Sequence, residues 1–262
     1  MSANDAKKKI LMIATGGTIA SKRSADGLTP VLTSDELLSY VPDIKKFCEP
    51  TTIQAMNIDS TNISVAAWLK IENIIEENYD FYDGFVICHG TDTMAYTAAA
   101  LSYLVQNSPK PVVITGSQKP IDMEITDAKT NLTDSFRYCA SKYASGVQIV
   151  FDGKVINGTR AKKTRTKSYN AFSSINYPYT AIIQDGKIMQ YDKTGRRGKP
   201  KFYRALALAR GGRFAEAEQA LTALLATAPP DADWRPLVAQ RLDLVRKVRV
   251  LVERNRRRVP AQ

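Results

Sequence analysis

Residues 7–21 read KKKILMIATGGTIAS, and this stretch decides the fold class. Its apolar run, Ile10 to Ala14, ends abruptly at Thr15-Gly16-Gly17-Thr18. Three later runs have the same character: FVICH at 85–89, PVVIT at 111–115 and VQIVF at 147–151. Short continuous apolar runs are typical of strands that are buried on both faces of a parallel sheet.

Helix-like stretches follow or separate these runs: SDELLSYV at 34–41, VAAWLKIENIIEEN at 65–78, MAYTAAALSYLVQN at 94–107 and DAKTNLTDSFRYCASKY at 127–143. We expect Ser34 to cap the first helix. The alternation predicts an α/β fold, a parallel sheet flanked by helices on both faces. Ligands on such sheets bind beyond the carboxyl ends of the strands, and we expect Thr15 and the segment 89–92 to follow directly after strands there.

The chain changes composition near residue 195. Residues 1–195 hold 17 lysines and 4 arginines against 20 acidic residues, a net charge of +1, whereas residues 196–262 carry +10 of the total of +11. The later part favours Arg, Ala and Leu. We therefore predict an α/β domain over 1–192, a linker over 193–200 and a basic α-helical tail over 201–262.

The tail is expected to begin with a helix pair around Gly211-Gly212, in the manner of one tetratricopeptide-type unit, with Ala205, Ala217 and Ala220 at close-packing positions. A third helix is predicted from about Trp234 to Arg254. A charge of +10 is compatible with nucleic acid. Aromatic residues are few there, however, and an Arg-rich helix face is usually solvated, so the sequence argues against a nucleic-acid partner.

Several kinds of protein are excluded by composition. No apolar run approaches the ~20 residues that span a bilayer, and the run after the N-terminal lysines is too short for a secretory signal. Cys48, Cys88 and Cys139 are odd in number and widely spaced, so neither a disulfide framework nor a zinc site is indicated. With His89 as its one histidine, the chain has no His-rich metal site. We expect a cytoplasmic protein without membrane contact, metal or cofactor.

The glycines at 16–17 do not form a phosphate loop. A dinucleotide loop requires G-x-G-x-x-G and a P-loop requires G-x-x-x-x-G-K-[ST], and GGTIAS fits neither. Taken alone, a pair of glycines after a strand most often indicates a tight turn. Other segments favour chemistry, because a Thr hydroxyl becomes a nucleophile when a base and an oxyanion site are near it.

The polar residues that could supply that chemistry fall in three other segments. Taken singly, each has an ordinary explanation: Asp92 could cap a helix, Lys162 and Lys163 could form a solvated basic loop, and His89 is expected to be a packed strand-end residue. The candidates are Thr91 and Asp92 in CHGTDTMAYTA, Lys162 and Lys163 in NGTRAKKTRTKSYNAF, and Asp59, Ser60 and Thr61 in the turn NIDSTNIS. A lysine near a threonine can act as its base, and an aspartate can orient that lysine.

The motifs IATGGTIAS, HGTDTMAYTA, VVITGSQKPI and GTRAKKT, in this order over about residues 8–192, resemble the bacterial-type L-asparaginases, nearest the cytoplasmic type I branch. The resemblance implies that Thr15 is the nucleophile and that Thr91, Asp92 and Lys163 complete the catalytic set. It also implies that Asp59, Ser60 and Thr61, with Thr91 and Asp92, bind the substrate.

The implied reaction is two-step hydrolysis of the side-chain amide of L-asparagine, with L-glutamine as a second candidate substrate. Backbone N–H groups near Thr91 would hold the oxyanion, and neither metal nor cofactor takes part. The resemblance further implies a homo-oligomer.

Two departures from the family pattern affect these expectations. Leu28 stands in SADGLTPV where many members carry a tyrosine in a mobile loop, and a leucine cannot donate a hydrogen bond to the nucleophile. Members also continue into a smaller C-terminal α/β domain, which has no counterpart after about residue 193. We therefore expect weak or absent activity with an intact site geometry.

Three alternatives remain open at this point. The chain could be the amidase component of a tRNA-dependent amidotransferase, with the tail touching RNA. It could be a non-catalytic chimera whose helical tail binds a protein partner, or the join near residue 195 could be artificial.

Overall fold

The four apolar runs become neighbouring strands of one eight-stranded sheet. A computed structural model describes residues 7–24, 27–106, 108–191, 205, 208–209, 212–227 and 235–256. The chain falls into two compact units, Met1–Asp192 and Lys193–Gln262, and each is described by itself. No helix within the described ranges has the length and apolarity needed to cross a membrane.

The strands are β1 (Lys8–Gly16), β2 (Ser21–Ser24), β3 (Gly27–Pro30), β4 (Cys48–Ile58), β5 (Gly84–Cys88), β6 (Pro111–Thr115), β7 (Gly146–Phe151), β8 (Lys154–Asn157), β9 (Ala161–Lys163), β10 (Phe172–Ser174), β11 (Ala181–Gln184) and β12 (Lys187–Gln190). The helices are α1 (Ser34–Ser39), α2 (Val65–Glu77), α3 (Met94–Leu104), α4 (Ala128–Ala140), α5 (Phe214–Ala226) and α6 (Arg235–Arg256). Short 3-10 turns cover Thr18–Ala20, Pro42–Lys46 and Ser60–Asn62.

The sheet order is β12-β11-β8-β7-β6-β5-β1-β4. The five strands from β7 to β4 run parallel, while β8, β11 and β12 add an antiparallel edge. The predicted parallel sheet is thus confirmed, and the antiparallel edge extends it.

Helices cover both faces of the parallel strands, as predicted. Met12 of β1 packs in one apolar cluster with Leu37 of α1 and Leu132 of α4. Ile13, the next residue of β1, packs in the opposite cluster with Ile71 of α2, which also holds residues of α3. Because successive strand residues point to opposite faces, one apolar run serves both layers.

The functional edge of this sheet is set by its topology. From β1, the chain first builds β4 on one side and then β5 on the other side. Such a reversal opens a crevice beyond the carboxyl ends of the strands beside it, where open α/β sheets bind ligands. Here that position lies at the ends of β1 and β5.

The first helix corrects one prediction. Thr33, rather than Ser34, is the N-cap: its hydroxyl accepts from the Glu36 N–H at 3.3 Å, and the Glu36 carboxylate accepts from the Thr33 N–H at 2.7 Å. Ser34 is buried as the first helical residue. The reciprocal pair satisfies two backbone donors, which a Ser34 cap could not do together with Glu36.

The segment that carries Leu28 contains two short strands. Strands β2 and β3 form an antiparallel hairpin in which the backbone of Leu28 pairs with Arg23. The side chain of Leu28 lies outside the described part of the structure.

The second unit is helical where it is described. An apolar cluster joins Ala217 and Leu221 of α5 to Leu242 and Val245 of α6, and it includes Ala205. Most of the first predicted tail helix, the linker 193–200 and Trp234 lie outside the described residues. The described parts establish a packed helix pair, and the tetratricopeptide comparison stays a prediction.

The cap assignment gives a test of the fold. We expect Thr33→Ala to lower the free energy of unfolding by about 1 kcal/mol, because the helix loses the oxygen that caps its first turn. Ser34→Ala is the matched control and should change it by less than about 0.5 kcal/mol, since no described residue hydrogen-bonds to its hydroxyl. Urea unfolding curves of the two variants would contradict the assignment if Ser34→Ala were the more damaging change.

Candidate active site

Thr15 lies near the carboxyl end of β1. Ala14 pairs with Cys88 of β5, and the Thr15 hydroxyl donates to the Cys88 carbonyl at 2.9 Å. Thr15 is 2% exposed. The prediction that Thr15 directly follows the strand is wrong, because β1 ends two residues later than predicted, at Gly16. Gly16 pairs with Ile58 of β4 after a bulge.

Lys163 connects the two polar residues that follow β5. Its ammonium group donates to the Thr91 hydroxyl at 2.8 Å and to the Asp92 carboxylate at 2.6 Å. The Lys163 side chain is 15% exposed and that of Asp92 is 59% exposed. This is the lysine–threonine–aspartate association that the sequence predicted: Lys163 lies between the other two residues, and Thr91 is buried.

The loop predicted for Lys162 and Lys163 is instead strand β9. It pairs with β10, so that Lys163 lies opposite Phe172, and the Phe172 ring packs on Phe151 with centroids 4.9 Å apart. A buried aromatic partner across the strand pair therefore stabilises a segment whose own residues are polar. Lys163 thereby reaches Thr91 from a strand rather than from a flexible loop.

An open cavity of about 630 Å³ lies beside this group. Asp92, Tyr96, Lys163 and Thr164 are among its lining residues, and Thr15 is not. The ion pair therefore faces open space, while the Thr15 hydroxyl is sheltered.

Close backbone contacts bring the strand ends together. A Cβ built on Gly17 would lie 2.4 Å from the Gly90 Cα, and one built on Gly90 would lie 2.6 Å from Ser60 Oγ. Gly17 also has a positive φ of 79°, which favours glycine. Side chains at these positions would force apart the segments that carry Thr15 and Thr91.

The predicted binding turn sits against this contact. Ser60 is buried beside Gly90, and its carbonyl accepts from the Thr93 hydroxyl at 2.7 Å. Asp59 caps the turn by accepting from the Thr61 N–H and the Thr61 hydroxyl, both at 2.8 Å. Ser60 therefore contacts the segment 90–93 that follows β5, and Thr61 is hydrogen-bonded to Asp59.

Gln118 is a site residue that the sequence reasoning did not single out. Its side-chain oxygen accepts from the Thr91 hydroxyl at 3.1 Å, while its amide nitrogen donates to the carbonyls of Thr166 and Ser168 at 2.9 and 3.1 Å. Two acceptors fix which end of the amide is nitrogen, so the Thr91 hydrogen points to Gln118 and a lone pair points to Lys163. The motif VVITGSQKPI contained the residue but gave no sign of this contact.

A buried carboxylate supports the Gln118 loop from below. Asp127 accepts from the N–H groups of Gln118 and Lys119, at 2.9 and 3.2 Å for the nearest oxygens, and from the Asn131 amide at 3.2 Å. Burial raises the pKa of Asp127, against the lowering effect of these donors.

The other reactive side chains near the site are inert. Burial raises the pKa of the Cys88 thiol to about 12, so the thiolate that a cysteine nucleophile needs is absent at neutral pH. His89 is 1% exposed, and burial lowers its pKa to about 4. His89 is therefore packed, as predicted, and Trp68 of α2 is half-buried. Within the described ranges, no cluster of three His, Cys, Asp or Glu residues is placed to hold a metal ion.

Comparisons with known proteins cover the first unit. A family model described as "Asparaginase, N-terminal" matches residues 9–195. The L-asparaginase of Thermococcus kodakarensis is 38% identical over 196 residues, which are 74% of this chain and 60% of that protein. Its solved structure aligns with a TM-score of 0.65 at 38% identity, over 71% of this chain and 56% of that one.

Two other relatives differ in their descriptions. A glutamyl-tRNA(Gln) amidotransferase component of Methanosphaera stadtmanae is 36% identical over 195 residues, 71% of this chain and 44% of that protein. The structure of a probable cytoplasmic L-asparaginase from Campylobacter jejuni aligns with a TM-score of 0.64 at 32% identity, over 71% of this chain and 57% of that one. The chain thus spans about half the length of the relatives it matches.

The glycine contact gives a test of how the site is held. We expect Gly90→Ala to cost about 1–3 kcal/mol in free energy of unfolding, because the new methyl group overlaps Ser60. In a double-mutant cycle, Ser60→Gly should recover part of this loss, a coupling of about 1 kcal/mol.

Gly146→Ala provides the matched control. Gly146 has a positive φ of 61° but open space around it, so its substitution should cost about 1 kcal/mol and combine additively with Ser60→Gly. Equal coupling in the two cycles, measured by urea unfolding, would refute the steric account.

Proposed function

This chain belongs to the asparaginase family, and on that premise we propose that it hydrolyses the side-chain amide of L-asparagine to L-aspartate and ammonia. The observation that carries the proposal is the Lys163 ammonium group, 2.8 Å from the Thr91 hydroxyl and 2.6 Å from the Asp92 carboxylate, at the strand ends where Thr15 lies. Serving that reaction is the role proposed for these four residues.

The first proposed step is acyl transfer to Thr15. Its oxygen attacks the carboxamide carbon, and the C–N bond breaks as the hydroxyl proton passes to the departing nitrogen, which leaves as ammonia. Backbone N–H groups near Thr91 stabilise the negative charge on the amide oxygen while the tetrahedral intermediate exists. Burial of Thr15 suits this step, because hydrogen bonds to developing charge are stronger away from water.

The second step is hydrolysis of the ester. Water attacks the acyl carbon, one water proton is taken up through Thr91 and Lys163, and the Thr15 oxygen regains a proton as the C–O bond breaks. For Thr91 to accept that proton, Lys163 enters the step as a neutral amine and the Thr91 hydrogen turns from Gln118 towards it. Lys163 reaches the neutral state by giving one proton to the ammonia released in the first step, and the Thr91 hydrogen turns by rotation about one C–O bond, because both partners already lie within hydrogen-bond distance.

Substrate binding is assigned to the residues around the Gly90 contact. The exposed Asp92 carboxylate can accept from the substrate ammonium group. The Ser60 and Thr61 hydroxyl groups can donate to the substrate carboxylate, and the Asp59 carboxylate beside them can accept from its ammonium group. Charge-assisted hydrogen bonds of this kind are about twice as strong as neutral ones. The proposal also places the protein in the cytoplasm as a homo-oligomer, on the strength of its type I resemblance.

The proposal is tested by ammonia release from L-asparagine. We expect Thr15→Val to reduce release by the full chain to background, because the isosteric side chain has no nucleophilic oxygen. Lys163→Met should lower kcat/KM by about 10²- to 10⁴-fold, the usual effect of a lost acid–base group. Thr51→Val on the exposed side of β4 makes the same chemical change elsewhere and should leave the rate unaltered. Undiminished release by Thr15→Val would overturn the assigned nucleophile.

A second candidate function is favoured by the amidotransferase relatives at 36% identity. In that case the amide donor would be L-glutamine, and the acceptor would be an aminoacyl-tRNA. Asparagine and glutamine differ by one methylene, which a pocket distinguishes by about 1–3 kcal/mol.

Kinetic preference separates the two candidates. Under the leading proposal, kcat/KM for L-asparagine exceeds that for L-glutamine by about 10-fold or more, and added tRNA changes neither. A preference for glutamine together with salt-dependent tRNA binding by the full chain would favour the amidotransferase function instead.

A further inference from the structure

We infer that His89 is a positioning residue that orients the Gly90–Thr91 peptide so that the Thr91 N–H faces the oxyanion. The chemical benefit rests on the proposed function. The hydrogen bonds that support the inference all join protein groups, so they can be tested without substrate.

The series of hydrogen bonds starts at the Trp68 indole, a group that can only donate. The Trp68 indole N–H donates to the Thr97 hydroxyl oxygen at 2.9 Å, and an indole nitrogen has no acceptor role. The single Thr97 hydrogen is then available to the Nε2 atom of His89, which lies 2.9 Å away. An Nε2 atom that accepts leaves the imidazole proton on Nδ1.

The other end of the imidazole meets an acceptor that cannot be reversed either. Nδ1 of His89 lies 2.7 Å from the Gly90 carbonyl oxygen, which can only accept. The Gly90 end therefore requires a proton on Nδ1, and the Thr97 hydroxyl can donate to the Nε2 atom of the neutral ring. Burial agrees with this state, since it lowers the pKa of His89 to about 4.

Fixing the Gly90 carbonyl also fixes the Thr91 N–H. The two groups belong to one peptide unit, and in a trans peptide they point in opposite directions. Among the contacts of the described residues, the Thr91 N–H has no acceptor, so it is available to a ligand. A hydrogen bond to the carbonyl also polarises the peptide and makes its N–H a better donor.

Glycine at position 90 makes such an anchor necessary. The close contacts with Gly17 and Ser60 exclude any side chain there. A glycine alone leaves the peptide unit free to rotate. The imidazole supplies the constraint that a side chain would otherwise give, and Thr97 of α3 and Trp68 of α2 hold the imidazole in turn.

Nuclear magnetic resonance provides the first arm of the test. His89 is the one histidine in the sequence, so ¹⁵N-labelled protein without a histidine tag gives a single pair of ring nitrogen signals. Long-range ¹H–¹⁵N spectra should show the neutral Nδ1–H tautomer unchanged from pH 8 to pH 5. An Nε2–H tautomer, or a titration near pH 6.5, would refute the inference. In Thr97→Val, which removes the partner of Nε2, the Nδ1–H tautomer should persist, because the Gly90 carbonyl can only accept.

Kinetics with two substitutions provide the second arm. His89→Asn keeps an N–H group near the position of Nδ1, whereas His89→Leu has none. We expect His89→Leu to lower kcat for L-asparagine by about 10- to 100-fold with KM changed less than about 2-fold, and His89→Asn to recover most of the loss. A merely structural role would not predict rescue by the amide donor.

The outcomes separate this inference from the proposed function. Wild-type protein that shows the Nδ1–H tautomer but releases no ammonia would refute the function and leave the His89 chain established. Active wild-type protein with an unchanged kcat in a folded His89→Leu variant would refute the positioning role. Where His89→Leu does not fold, the wild-type tautomer and the Thr97→Val spectrum decide the question.

Discussion

The structure depends on the close approach of Gly17, Gly90 and Ser60. These residues belong to the segments that follow β1, β5 and β4. The backbones of Gly17 and Gly90 meet each other, and the Ser60 side chain meets Gly90, so closely that no side chain fits at either glycine. Parallel strands bring their carboxyl ends to one edge, but about 4.8 Å still separates neighbouring strands. The glycines remove the remaining bulk, so that polar groups from three strand ends can serve one small ligand.

Around that contact, hydrogen bonds fix the direction in which each polar group points. Thr91 donates to Gln118 and accepts from Lys163, and Gln118 is held in turn by two carbonyls. On the other side, His89 accepts from Thr97 and donates to Gly90. Groups that are oriented before a reaction starts need less reorganisation during it, which is the physical source of electrostatic catalysis. The sheet supplies the position of each group, and these chains supply its orientation.

The positive charge of the tail is compatible with nucleic-acid binding, but the structure shows another use for part of it. Part of its positive charge is used within the unit, since Arg246 and Arg249 of α6 both pair with Glu218 of α5 at 2.9 Å. Exposed ion pairs of this kind contribute about 0–1 kcal/mol each to stability, but they direct arginines towards a protein carboxylate. The candidate chemistry, by contrast, lies wholly within the first unit, which carries almost no net charge.

Sequence reasoning succeeded where the relevant physics is local. Strands buried on both faces appear as apolar runs, and their ends located Thr15, Thr91 and Asp92. It missed β4 because an edge strand need not be apolar throughout, and only Cys48 and Ala55 of its residues are buried. It missed the antiparallel edge because those strands are four residues long.

The missing site contacts have another cause. Gln118 and Thr91 are 27 positions apart, and Lys163 and Thr91 are 72 apart, so no periodicity within a segment can connect them. The segment offered Lys162 and Lys163 together, and only the family resemblance selected Lys163. The same segment was predicted to be a polar loop, where pairing with Phe172 makes a strand. A pattern can therefore identify which side chains meet, while the element that delivers each one depends on partners far along the chain. For the same reason the role of His89 could not be read from its own segment, because it follows from Trp68 and Thr97 on two other elements.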